Sequence, residues 1–157
     1  MKYFMEPQSV AIIGISRRSG PGSYNLMENM INYGYPGKIF PINPYAEEIL
    51  GIKACANVKE VDQKIDLAII SLPRESVVKA VAECVEAGVK AIIVVTQGFA
   101  DAGEQGKVLQ REIVALARDK GVRILGPNTL GVVNNFKSFT TSFMPLTRDK
   151  APVGLIC

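Results

Sequence analysis

The stretch VAIIGISRRSGPGS, residues 10–23, decides how this sequence is read. Four apolar residues lead into Gly14, then come Ser16, two arginines and a turn rich in glycine. Just beyond, Leu26, Met27, Met30 and Ile31 recur at helical spacing. A buried strand that runs through such a turn into a helix is a place where backbone N–H groups meet an anion. Gly14, Gly20 and Gly22 would let the backbone approach phosphate closely, and Ser16, Ser19 and Ser23 would add hydroxyl donors. A plain turn with Ser23 as helix cap is the simpler alternative. The position of the loop, after the first strand of an alternating chain, favours phosphate binding.

Outward from this loop, apolar strand-like runs alternate with amphipathic helical ones. Strands are expected at 10–14, 38–42, 67–72, 89–95 and 122–125, with a short extended piece at 52–54 and a last strand at 131–134. Helices are expected at 24–33, 75–87 and 106–120, each followed by a glycine suited to a helix C-terminus. On the second helix Val77, Val78, Val81 and Val85 point inward; on the third, Leu109, Ile113, Leu116 and Ala117 do so. Continuous apolar strands imply burial on both faces. The alternation then implies an α/β fold of the doubly wound class, with a mainly parallel sheet and helices on both faces. Ligands of such folds lie at the carboxyl ends of the strands. Here those ends are residues 14–22, 43–44, 71–74, 96–99 and 126–129, all rich in Gly, Pro, Ser, Asn or Thr.

Of the 157 residues, 48% are hydrophobic and 21% charged, the balance of a globular domain. A net charge of +3 is too small to imply nucleic acid or a membrane surface as partner. No run approaches the ~18 apolar residues of a membrane span, so a cytoplasmic location is expected. There is no histidine, which removes Ser-His-Asp triads, Cys-His dyads and most zinc sites. Cys55, Cys84 and Cys157 form no C-x-x-C pair and suggest no disulfide framework. No catalytic and no metal-ligating residue is expected.

The ligand is narrowed by what is missing. A nicotinamide-dinucleotide domain usually carries Asp or Glu at the end of the second strand, for the ribose hydroxyls. Here that place reads FPINP, with Asn43 followed by Pro44. The glycine spacing also departs from G-x-G-x-x-G. Arg17, Arg18, Lys53 and Arg74 would instead gather near one edge, which suits a ligand with more phosphate than NAD carries.

Five segments in this order carry a resemblance: VAIIGISRRSGPGSYNLMENM, GKIFPINPYAEEILGIKA, IDLAIISLP, VKAIIVVTQGF and VRILGPNTLGVVN. Over roughly residues 9–145 the chain resembles the CoA-binding domain of the NDP-forming acyl-CoA synthetases. That superfamily includes ADP-forming acetyl-CoA synthetase and the succinyl-CoA synthetase alpha subunit. The resemblance implies a Rossmann-like domain over residues 1–147 whose ligand is coenzyme A or acyl-CoA. The loop from Gly14 to Ser23, with Ser16, Arg17, Arg18, Ser19, Gly20 and Gly22, would hold the phosphates. Asn43 and Pro44 would border the adenosine; Ser71, Leu72 and Pro73 would line the middle of the pocket. Gln97 and Gly98 would guide the pantetheine, and Gly126, Pro127 and Asn128 would face the reacting centre. The family often has Lys after the Asn-Pro pair, where this chain has Tyr45; Lys53 would serve instead. The paired arginines 17 and 18 would read the 3'-phosphate.

The family's reaction passes phosphate through a histidine of the following domain, and this sequence contains none. Binding of CoA without ligase catalysis is therefore expected, with the remaining ligase domains or subunit as partners. Residues 148–157 read as the truncated start of a following domain, with 153–156 as half a strand. An exposed edge there would offer pairing to a second copy, giving a homodimer. Two alternatives stay open: an NAD(P)-binding oxidoreductase domain, in which Arg17 and Arg18 hold a 2'-phosphate, and a stand-alone CoA-sensing module. A Gly14→Val change is expected to abolish CoA binding while leaving the fold largely intact.

Overall fold

The computed structural model of the chain describes residues 1–16, 18–20, 23 and 25–146. Arg17, Gly22 and the expected half-strand at 153–156 lie outside the described residues. The elements follow as α1 (Lys2–Met5), β1 (Ser9–Ile13), α2 (Leu26–Asn32), β2 (Lys38–Ile42), β3 (Glu48–Ile49) and β4 (Ile52–Lys53). Then come β5 (Leu67–Ile70), α3 (Arg74–Glu86), β6 (Ala91–Val94), α4 (Glu104–Asp119), β7 (Arg123–Leu125), β8 (Val133–Asn134) and β9 (Phe139–Thr140).

Five parallel strands form one sheet in the order β2-β1-β5-β6-β7. Strands β1, β5 and β6 are buried along their whole length, as their unbroken apolar runs require. Successive side chains point to opposite faces. Ala11, Ile13, Ala68, Ile70, Ile92 and Val94 pack under α3 and α4. Val10, Ile12, Leu67, Ile69 and Ile93 pack against α2, Phe4 of α1 and Phe139 of β9. Helices thus cover both faces of a doubly wound sheet, as the alternation implies. The buried stripe of α3 is Val77, Ala80, Val81 and Cys84. Its centre lies to one side of the valine stripe expected, so Val78 and Val85 are only partly buried.

The register pairs Ile13 with both Ile42 and Ile70, so the carboxyl ends of the three strands lie level. The chain leaves β1 toward β2 on one side and, after β2, returns to β5 on the other. This reversal opens a crevice beyond the ends of β1 and β5. No helix bridges β2 and β5. The β3–β4 hairpin and a 3-10 turn, Val58–Glu60, take that place, and Val58 is buried with the α3 residues.

The strand expected at 131–134 is present as Val133–Asn134 only, and β8 pairs antiparallel with β9 in a hairpin separate from the five-stranded sheet. After β7 the chain turns back at Asn128, where φ is +57° and the backbone N–H donates to the Thr96 carbonyl (3.0 Å). Thr141 then fixes the hairpin, its hydroxyl accepting from Val132 N–H (2.8 Å) and its own N–H donating to the Val132 carbonyl (2.9 Å).

Candidate functional site

Three adjoining clefts run across the carboxyl ends of the strands. The central one, about 720 Å³, lies between the ends of β1 and β2 and the first turns of α3; its walls include Gly14, Asn43, Pro44, Leu72, Pro73 and Lys79. A cleft of about 550 Å³ toward β4 shares Asn43 and Pro44 and adds Lys53. A third, about 410 Å³, shares Leu72 and adds Ser71, Gln97 and Asn128. A further concavity of about 630 Å³ lies along the outer face of α4, away from the strand ends. The shared walls make the three clefts one groove, in the place where this sheet topology puts ligands.

Gly14 is the pivot of that groove. Its φ is +84°, and a β-carbon there would stand 2.4 Å from the Ser71 carbonyl oxygen and 2.7 Å from Leu72 Cδ2. The backbone is therefore bare toward the cleft because nothing larger than glycine fits between β1 and β5. This corrects the expectation for Gly14→Val: a side chain here forces two sheet strands apart, so the fold suffers together with the site.

Asn43 is a positioning residue. Its Nδ2 donates to the Ile15 carbonyl (3.1 Å) and its Oδ1 accepts from Tyr45 N–H (2.8 Å). The side chain that occupies the place of a ribose-binding acid is thus committed to fixing the loop after β1. The loop itself is tied from the other side by Asn25. That residue caps α2, accepting from Glu28 N–H (3.1 Å), and its Nδ2 donates to the carbonyls of Ser16 (3.1 Å) and Arg18 (2.7 Å). The Glu28 carboxylate accepts from Gly20 N–H (2.8 and 3.0 Å) and from the Ser23 hydroxyl (3.3 Å). The Ser16 hydroxyl accepts from Arg18 N–H (3.1 Å). Two donors assigned to phosphate from the sequence, the Gly20 N–H and the Ser23 hydroxyl, are thus engaged inside the loop here, and a phosphate would have to displace Glu28 to take them. Ser16, Arg18, Ser19, Gly20 and Ser23 stand outside the walls of the three clefts.

At the far end, the Thr96 hydroxyl donates to the Leu72 carbonyl (2.7 Å), and Arg74 Nη1 donates to the Gly98 carbonyl (3.0 Å). Arg74 also pairs with Glu75 at 3.2 Å; the Glu75 backbone N–H, with Arg74 adding, lowers that carboxyl below its ordinary value. Arg74 therefore holds the 97–98 loop. Ser76, Lys79 and Glu83 line the central cleft and were missed in the sequence reading. Their spacing of three and four along α3 is the signal that would have found them. Cys84 is fully buried, and burial pushes its thiol up to about 12, so it is no nucleophile.

The sequence matches the family model described as the CoA binding domain over residues 8–135. The chain belongs to this CoA-binding domain family. It is 39% identical over 152 residues to the ADP-forming acetate–CoA ligase II of Archaeoglobus fulgidus, covering 96% of this chain and 22% of the ligase. It is 36% identical over 148 residues to the alpha subunit of the ADP-forming acetate–CoA ligase II of Pyrococcus furiosus, covering 94% of this chain and 32% of that subunit. Among solved structures, the apo form of the dinucleotide-forming acetyl-coenzyme A synthetase 1 of Candidatus Korarchaeum cryptofilum superposes with a TM-score of 0.84 at 34% identity. That match covers 95% of this chain and 31% of the synthetase. This CoA-binding domain thus spans less than a third of the length of each of these relatives. Among its described residues no helix is long and apolar enough to cross a membrane.

Proposed function

We propose that this domain binds coenzyme A along the strand-end groove, as the CoA-holding part of an ADP-forming acyl-CoA ligase. The observation that carries the reading is the continuity of the three clefts across the β1/β5 switch point in a member of the CoA-binding family. The walls suit such a ligand. Ile15, Pro44, Leu72 and Pro73 offer apolar surface for a purine, and Lys53 and Lys79 bring ammonium groups for phosphate.

In this reading the loop 14–23 holds the pyrophosphate. Asn43 and Pro44 border the adenosine, and Ser71, Leu72 and Pro73 line the centre. Gln97 and Gly98 lead the pantetheine toward the loop at 126–128. CoA supplies the thiol that takes up the acyl group; this chain's residues bind and orient it. The phosphate-carrying histidine and the nucleotide site belong to other domains or subunits, since this sequence has no histidine. Engagement of Asn43 with the Ile15 carbonyl weighs against the NAD(P) alternative, because no acid is presented to a ribose there. Calorimetric titration of the purified chain tests the reading: saturable CoA binding supports it, and tighter binding of NADP than of CoA refutes it.

A further inference from the structure

We infer that Lys79, on α3, is the residue that recognises the 3'-phosphate of coenzyme A and so sets the preference for CoA over dephospho-CoA. The inference rests on the CoA reading above and assigns a specificity residue within it.

The described cations near the groove differ in their place and in their partners. Lys79 is the only cationic residue among the described walls of the central cleft, which also include Asn43, Pro44, Tyr45 and Pro73. Arg74 is held by the Gly98 carbonyl and Glu75. Lys53 lies in the neighbouring cleft and not in the central one, opposite Glu48 in the β3–β4 register. Arg18 is exposed on the loop, outside the walls of all three clefts. Tyr45 brings a ring 85% exposed to solvent and no charge.

Lys79 is also free to act. Its side chain is 84% exposed, and its ion pair with Glu83, one turn along α3, is long at 3.9 Å. An exposed pair of this kind holds weakly, so a phosphate dianion entering the cleft would draw the ammonium across without opposition from burial. Glu83 lies on the same wall, so the ammonium offsets a carboxylate that would otherwise repel phosphate. The glycine loop, tied by Asn25 and Glu28, is left to the pyrophosphate that CoA and dephospho-CoA share. The 3'-phosphate is thus set at α3, where the resemblance implied the paired arginines 17 and 18; Arg17 lies outside the described residues.

The test titrates the full chain with CoA and with dephospho-CoA, for wild type, Lys79→Ala, Lys79→Arg and Lys53→Ala. Lys79→Ala is expected to lose about tenfold in CoA affinity, and less than about twofold for dephospho-CoA. Lys79→Arg should restore most of the preference, and Lys53→Ala should leave the ratio of the two affinities unchanged. Because the side chain is exposed, circular dichroism and the melting temperature should not move. Equal losses for both ligands, or no loss at all, would overturn the assignment while the CoA reading stands. A wild-type chain that binds neither ligand would overturn the CoA reading itself.

Discussion

The α-carbon of Gly14 faces the carbonyl of Ser71 across the β1/β5 seam so closely that a β-carbon on Gly14 would lie 2.4 Å from the Ser71 oxygen. Gly20 has a similar φ, +91° against +84°, yet among the described residues beyond its chain neighbours no atom lies within 4 Å of its added β-carbon. Two glycines of one loop are thus required for different reasons. Gly14→Ala combines left-handed strain with a backbone clash and should cost about 3 kcal/mol. Gly20→Ala meets strain alone and should cost about 1 kcal/mol. Urea denaturation of both variants checks this, and equal costs would show that β1 and β5 can separate freely.

Asn25 serves both the α2 cap and two loop carbonyls from a buried position. Asn25→Ala should therefore cost about 2 kcal/mol, at the upper end for a helix cap, and lower the melting temperature by about 5 °C. A shift within 1 °C of wild type, measured by calorimetry, would mean that the loop holds itself.

Replacing Asn43 by Asp removes the donor to the Ile15 carbonyl and sets a carboxylate beside that oxygen. The variant should lose about 2 kcal/mol of stability and bind CoA more weakly, without gaining NAD. If Asn43→Asp bound NAD better than wild type, this position would be a ribose site and not a tether.

The Cys84 thiol is raised by burial, with Glu83 adding to the effect, from 9.0 to about 12. Its proton is held more tightly in the folded chain than in the unfolded one. Stability from this group is therefore whole below pH 9 and falls as pH rises from there toward 12, by on the order of 1 kcal/mol per pH unit. Melting temperatures between pH 8.5 and 10.5 should fall more steeply for wild type than for Cys84→Val. Peptide mapping after alkylation at pH 8 should find Cys84 unmodified until the chain is unfolded.

The sheet was legible in the sequence because each strand is an apolar run closed by a breaker. Strand β2 matches the expected 38–42 because Gly37 and the Asn43-Pro44 pair bound it on both sides. The two-residue β3 and four-residue α1 are too short to show a period. Of the expected 131–134 only Val133–Asn134 form a strand, and a local pattern does not name its partner, which is β9 and not the sheet edge. The groove was legible for a topological reason, since parallel strands bring all their carboxyl ends to one edge. What stayed hidden was which polar groups serve the fold. Asn43 and Arg74, placed at the groove by the sequence, also tie loops together, and Glu28, which carries no signal in one dimension, ties the glycine loop. Lys79 stayed hidden for the opposite reason: it sits on a helix, where the sequence reading looked only for core.

The most direct measurement is a calorimetric titration of the purified chain with CoA, dephospho-CoA, NAD and NADP. The account predicts saturable binding of CoA, weaker binding of dephospho-CoA, and NAD and NADP weaker still. NADP bound more tightly than CoA, or no heat from CoA at any concentration, would contradict it.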